Sequence, residues 1–162
     1  MNDEIRIRNA EIKDVSIILK LIKSLAEYEK LSHQFINNIE LLTKYLFGER
    51  KFAEVLLAEL NNEPVGFALY FHNYSTFVGK PGIYLEDLFV RPEMRGKGIG
   101  KKLFLELVKI AKNRDCGRVE WSVLNWNSSA IGFYKSLGAV PMEEWTVYRL
   151  TEEKINELAN HV

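Results

Sequence analysis

Val90-Arg91-Pro92-Glu93-Met94-Arg95-Gly96-Lys97-Gly98-Ile99-Gly100-Lys101 is the stretch on which the reading of this chain turns. An apolar run rich in aromatic and branched residues ends at Val90. Gly96, Gly98 and Gly100 follow, and a helical pattern opens beside them. The first N–H groups of a helix have no internal partner and carry the positive end of its dipole. Glycines let such a backbone come close to phosphate oxygens. Arg95, Lys97, Lys101 and Lys102 add positive charge. The spacing separates the phosphate-binding turns. A dinucleotide fingerprint beginning at Gly96 needs glycine where Lys101 stands. A Walker loop ending in Gly100-Lys101 needs glycine in place of Arg95 and Ser or Thr in place of Lys102. Taken alone, the turn is also compatible with a Gly-rich loop carrying solvated charges.

Working outward, Ile83 to Val90 reads as a strand and Gly98 to Arg114 as a helix. Upstream, Ile5-Arg6-Ile7-Arg8 alternates like a short half-exposed strand. Ile12, Val15, Ile18, Leu19, Ile22, Leu25 and Ala26 form one helical stripe, running from about Glu11 to Glu29. Asn37 with Glu40 resembles a helix cap and predicts a second helix through Phe47, stopped at Gly48. Phe52–Leu60 and Pro64–Tyr74 read as a hairpin around Asn61-Asn62-Glu63, with Gly79-Lys80-Pro81-Gly82 as a loop. Downstream come a strand over Gly117–Leu124, a helix over Asn127–Leu137, a strand over Trp145–Leu150 and a terminal helix over Thr151–Ala159. The order is β-α-α-β-β-β-α-β-α-β. Consecutive strands should pair antiparallel and the strand-helix-strand unit parallel, giving a mixed, mainly antiparallel sheet of the α/β (α+β) class.

The bulk numbers set bounds. A chain of 162 residues with no repeat or linker tract predicts a single domain over 1–162. Lys plus Arg and Asp plus Glu are 22 each, which gives no support to a general nucleic-acid binder. Cys116 is the one cysteine and reads as a small residue at a helix-to-strand junction. No Cys/His cluster has zinc spacing, so no metal is expected. His33, His72 and His161 lie in unrelated contexts and read as surface or internally satisfied histidines. The acidic start Met1-Asn2-Asp3-Glu4 is unlike a signal peptide, and no stretch reaches the ~20 apolar residues of a membrane helix; a cytoplasmic, non-membrane protein is expected.

Arg95-x-x-Gly98-x-Gly100 resembles the turn that marks the GNAT superfamily of N-acetyltransferases, where it binds the pyrophosphate of coenzyme A. The resemblance widens to Tyr84-Leu85-Glu86-Asp87-Leu88-Phe89-Val90 and to Asn127-Ser128-Ser129-Ala130-Ile131-Gly132-Phe133-Tyr134-Lys135. It is closer to the spermidine/spermine (diamine) and thialysine N-acetyltransferases, which Leu25-Ala26-Glu27-Tyr28-Glu29 is similar to as well. It spans roughly Ile5 to Leu150, and Met142–Val147 departs from the polyamine enzymes' pattern. It implies a GNAT-like fold, acetyl-CoA as cosubstrate, a small primary amine as acceptor and a homodimer. A protein or peptide acceptor, and a coenzyme-binding sensor of low turnover, are the competing functions.

The resemblance assigns roles to individual residues. Tyr134, which periodicity alone makes a core aromatic, becomes the acid that protonates the coenzyme A sulfur. Leu88, Phe89 and Val90, the turn residues Arg95, Gly96, Lys97, Gly98, Ile99, Gly100 and Lys101, and Asn127, Ser128, Ser129, Ala130 and Lys135 become coenzyme-binding. Asn127 or Ser128 could equally cap the helix. Tyr28, Glu29, Glu86, Glu120, Trp121 and Ser122 become acceptor-binding, with Trp121 equally readable as core and Glu143 or Glu144 as a further acid. Glu86 and Asp87 are adjacent, so an ideal strand points them to opposite faces. One can serve the acceptor while the other is structural, and the resemblance favours Glu86, as a base acting through a water. A bulge splaying this strand from its parallel neighbour would free backbone groups around Leu88 and Val90.

Overall fold

The computed structural model describes residues 4–160; Met1, Asn2, Asp3, His161 and Val162 lie outside them. Two compact units divide the chain, one ending at Ser122 and the other beginning at Val123.

The first unit is a five-stranded sheet in the order β1-β2-β3-β4-β5. Its strands are β1 (Ile5–Asn9), β2 (Glu54–Leu60), β3 (Glu63–Ser75), β4 (Lys80–Val90) and β5 (Val119–Trp121). Pairing is antiparallel from β1 to β4, and β5 joins β4 in parallel after the helix α3 (Ile99–Asn113). This is the mixed sheet the sequence predicts. The β2–β3 hairpin turns on Asn61 and Asn62, at φ 53° and 67°. Two consecutive left-handed residues match the twist of the flanking strands, and asparagine tolerates that conformation.

A single 3-10 turn (Ile12–Asp14) leads into α1 (Val15–Tyr28). The stripe Val15, Ile18, Leu21 and Leu25 packs with Val55, Leu57, Phe67 and Phe89 on one face of the sheet. Alternation sends Leu56, Ala58 and Leu60 to the other face, and α3 buries Ile99, Leu103, Phe104, Leu107 and Ala111. The entry to α1 is pinned by charge. The Arg8 guanidinium donates to both Asp14 oxygens at 2.7 and 3.0 Å and to Glu59 Oε1 at 2.8 Å.

Several boundaries differ from expectation. Asn38, not Asn37, caps α2 (Ile39–Leu42): its backbone is extended and its Oδ1 accepts from Leu41 N at 2.9 Å. Asn37 instead bonds the Asn38 N–H. The helix then widens to a π turn over Thr43–Phe47 before Gly48. The strand β4 begins at Lys80 rather than Ile83. Pro81 takes part there as an acceptor, its carbonyl receiving the Gly117 N–H at 2.8 Å, a role that its missing N–H does not hinder. The strand β5 covers three residues rather than Gly117–Leu124, because β4 is irregular just beyond Leu85, the last residue paired to β5.

The second unit holds α4 (Ser128–Ser136) and α5 (Glu152–Ala159). Thr151 caps α5, its Oγ1 accepting from Lys154 N. The strand expected over Trp145–Leu150 does not form. A strand persists only where a ladder takes up its N–H and C=O groups. Among the described residues no strand pairs with this segment, and Trp145, Val147 and Tyr148 are exposed.

Candidate active site

The sheet irregularity and the turn lie at the two ends of one short segment. In the β3–β4 pairing Leu69 opposes Asp87 and Tyr70 opposes Leu85, so Glu86 is the extra, bulged residue. The parallel ladder ends at Leu85 opposite Trp121. From Glu86 to Val90, therefore, β4 keeps its β3 neighbour and has no strand on its other side among the described residues. The expected bulge is present, on the antiparallel ladder, and it coincides with the end of the parallel one.

At Val90 the chain enters a 3-10 turn (Pro92–Met94) and then the glycines. Gly96 and Gly98 adopt φ 80° and 78°, a conformation that costs other residues about 1–2 kcal/mol. A Cβ at either would meet nothing within 4 Å, so their role is conformational and the backbone there is open to a ligand. Gly98 is the N-cap of α3, and no side chain caps this helix. In α2, α4 and α5, by contrast, Asn38, Asn127 and Thr151 fill that place. The uncapped start of α3 offers backbone donors to a phosphate group, and these residues fit the pyrophosphate of coenzyme A. Arg95 turns back toward the sheet. Its Nε donates to Val90 O at 3.0 Å and its guanidinium lies 4.1 Å from the centre of the Tyr28 ring.

Beside β4, the end of α1 borders a shallow, open pocket of about 200 Å³. Its walls are Ile22, Leu25 and Ala26 of α1 with Leu31, Gln34 and Phe35 of the following segment; Glu29 and Asp87 supply carboxylates. This is smaller than a drug-sized site and suits a slender molecule. Burial raises the pKa of Glu29. It pushes Asp87 up to about 7, with the charges of Glu86 and Glu29 adding to the effect. Glu86 itself is exposed on the bulge. Asp87 is the functional candidate that the sequence reading passed over. The signal was present as two adjacent acids in an apolar strand, but alternation alone cannot say which one a bulge turns inward.

The other acceptor candidates of this unit have structural partners. Glu120 accepts from Asn73 Nδ2 at 2.9 Å and pairs with Arg118 at 2.8 Å. The Trp121 ring meets Phe104 edge-on at 5.2 Å, and Ser122 Oγ lies 2.9 Å from the Tyr84 hydroxyl. In the second unit Asn127 caps α4, its Oδ1 accepting from Ala130 N at 3.2 Å. Ser128, Ser129 and Ala130 form the first turn of that helix, and Lys135 is exposed in its last. Burial pushes the Tyr134 hydroxyl up to about 12, so it keeps its proton at neutral pH and can donate. Glu143 and Glu144 are exposed.

A mixed sheet bulged in its fourth strand is thus followed by an uncapped, Gly-rich helix start. The chain belongs to the GNAT family of acetyltransferases, whose family model matches residues 20–139. It is 41% identical to the thialysine N-epsilon-acetyltransferase of Bos taurus, over 96% of this chain and 97% of that one. It is 33% identical to an L-ornithine N5-acetyltransferase of Arabidopsis thaliana, over 94% of this chain and 87% of that one. Among solved structures, an integron cassette protein of V. cholerae superposes with a TM-score of 0.81 at 28% identity, covering 96% and 97% of the two chains.

Proposed function

We propose that the chain, acting as one catalytic domain over 1–162, transfers the acetyl group of acetyl-CoA to a primary amine of a di- or polyamine, or of a lysine-like amino acid such as thialysine. The observation that carries this reading is the small, open pocket beside β4, with apolar walls, two carboxylates and no basic lining residue. Apolar walls suit a methylene chain and uncompensated carboxylates suit a cation. The names of the relatives, which act on thialysine and ornithine, support the same acceptor class.

The chemistry distributes over residues as follows. An alkylamine of pKa ~10.4 is neutral in only about one molecule per thousand near pH 7, so a base must take its proton. Glu86 does this through a water. Leu88, Phe89 and Val90 present backbone to the pantetheine arm and the acetyl carbonyl. The turn from Arg95 to Lys101 holds the pyrophosphate. By the family resemblance, Asn127, Ser128, Ser129, Ala130 and Lys135 also bind the coenzyme. Tyr134 donates its proton to the leaving sulfur. Tyr28 and Glu29 hold the acceptor, with Glu120, Trp121 and Ser122 at the border of its site. The reading makes the enzyme a cytoplasmic homodimer that needs no metal.

The test is acetyl-CoA consumption with a panel of amines. Diamines and thialysine should exceed a monoamine of equal length by roughly tenfold or more in kcat/KM, the scale of one charge-assisted hydrogen bond. Equal rates for monoamine and diamine, or a strong preference for peptide N-termini, would reject the small-cation acceptor.

A further inference from the structure

We propose that Arg95 is a positioning residue that couples the two substrate sites: through its contact with Tyr28, coenzyme held at the Gly-rich turn strengthens the grip of the end of α1 on the acceptor. The proposal rests on the acetyltransferase reading above and adds to it a linkage between the two ligands.

The backbone of β4 prepares the contact. Arg91 N donates to Val65 O at 2.9 Å, while Gly66 stands opposite Val90. In an antiparallel ladder this makes Val90 and Gly66 a pair without mutual bonds, so the N–H and C=O of Val90 point away from β3. On that side β4 pairs with no strand beyond Leu85 among the described residues. Arg95 Nε takes the outward carbonyl of Val90 at 3.0 Å. The side chain therefore leaves the turn to which its backbone belongs and reaches the open edge of the strand. Its guanidinium lies 4.1 Å from the centre of the Tyr28 ring and 5.8 Å from that of Phe89. Phe89 is buried in the core, and Tyr28 packs against the same cluster.

Tyr28 is the last residue of α1, and Glu29 after it lines the pocket. One side chain thus joins the strand end that leads into the coenzyme turn to the helix end that carries an acceptor-binding carboxylate. Around Gly96 and Gly98 little else restrains the turn, since a Cβ at either would meet nothing within 4 Å. A pyrophosphate bound at the start of α3 fixes this backbone and, with it, Arg95. The Tyr28 ring then stacks on a cation already held in place, and less remains for the acceptor to order. By linkage the acceptor strengthens coenzyme binding by the same factor.

The experiment uses CoA without its acetyl group, which occupies the turn and cannot react. Calorimetric titration with 1,4-diaminobutane, with and without saturating CoA, gives for each chain a ratio of two acceptor affinities. The ratio is the readout, because a direct loss of acceptor contact in a Tyr28 variant cancels from it. In the wild type it should exceed the ratio in Tyr28→Leu by about two- to fivefold, the scale of an exposed cation–π contact. Tyr28→Phe keeps the ring and should keep the wild-type ratio. Arg95→Met should fall to the level of Tyr28→Leu, and the double variant should fall no further, since both changes remove the same contact. Equal ratios in the wild type and Tyr28→Leu, or a ratio lost in Tyr28→Phe, overturns the coupling and leaves the enzyme reading intact. Failure of the wild type to acetylate any small amine overturns both.

Discussion

Two pairs of carboxylates are wholly or partly withdrawn from water in this molecule, and they are treated in opposite ways. Asp14 and Glu59, each with a side chain only 9% exposed, share one cation: Arg8 bonds both at 2.7 to 3.0 Å. Asp87 and Glu29 share no cation at all. The hydrogen bonds from Arg8 hold Asp14 below its ordinary pKa, against the effect of burial. Burial without such a partner holds Asp87 well above it. The same residue types in similarly apolar settings therefore carry opposite signs of pH dependence. The first pair serves the fold, tying β1, β2 and the start of α1 together. The second works against the fold, because burial without a cation penalises the charged form.

Removing the cation from the first pair makes it like the second, and this has the largest expected effect. Arg8→Met leaves two buried carboxylates without a cation, Asp14 keeping only the Glu11 N–H, and should cost about 3–5 kcal/mol of stability at neutral pH. Asp14→Asn or Glu59→Gln added to it should restore part of the loss, by removing the orphaned charge. Denaturant unfolding of the single and double variants measures both steps. A loss below about 1 kcal/mol would mean that water reaches this corner and that the contrast with the pocket is weaker than the hydrogen bonds imply.

The reverse change removes charge from the second pair. The folded chain retains a proton on Asp87 between about pH 4 and about pH 7 that the unfolded chain has already lost, so this group's contribution to stability falls as pH rises through that window. Asp87→Asn should therefore be more stable than wild type at pH ~8, by at least about 1 kcal/mol or roughly 2–4 °C in Tm, and near parity at pH ~4. Asp14 behaves oppositely: its contribution is present above the unfolded pKa and is lost as pH falls through the lowered folded one. An Asp87→Asn variant less stable than wild type at pH ~8 would move Asp87 into the structural class with Asp14.

These two acid sites also mark how far the sequence could be read. The turn from Arg95 to Gly100, the stripe of α1 and the mixed sheet were legible, because each rests on local periodicity or on glycine placement. The bulge was expected, yet its consequence was not: alternation places Glu86 and Asp87 on opposite faces and cannot say which faces the pocket. Ile22, Leu25 and Ala26 read as core, and they are the end of a core stripe that also walls the pocket. Leu31, Gln34 and Phe35 carried no periodic signal, since they sit around a single 3-10 turn over Ser32–Gln34. The strand expected at Trp145–Leu150 failed for a non-local reason. Its residues have strand character, but a strand also needs a partner, and pairing is not written in the segment itself.

The smallest effect tests the coupling inside the pocket. Three influences raise Asp87, in the order burial, the charge of Glu86 and the charge of Glu29. Neutralising either neighbour leaves burial in place, so Asp87 should stay above an ordinary aspartate while its titration moves to lower pH. Glu86→Gln should move it further than Glu29→Gln, because Glu86 is adjacent in the chain and its influence ranks first of the two. A carbon-detected NMR titration of the Asp87 carboxyl in the three chains reads this directly and does not depend on turnover, which both variants are expected to reduce. The same order should appear as a smaller acid-to-neutral fall in Tm for Glu86→Gln than for Glu29→Gln, and high salt should shrink the difference wherever the exposed Glu86 is screened. If neither variant moves the titration, the two acidic residues do not sense one another, and the pocket would take up a cation through Glu29 or Asp87 singly rather than through the pair.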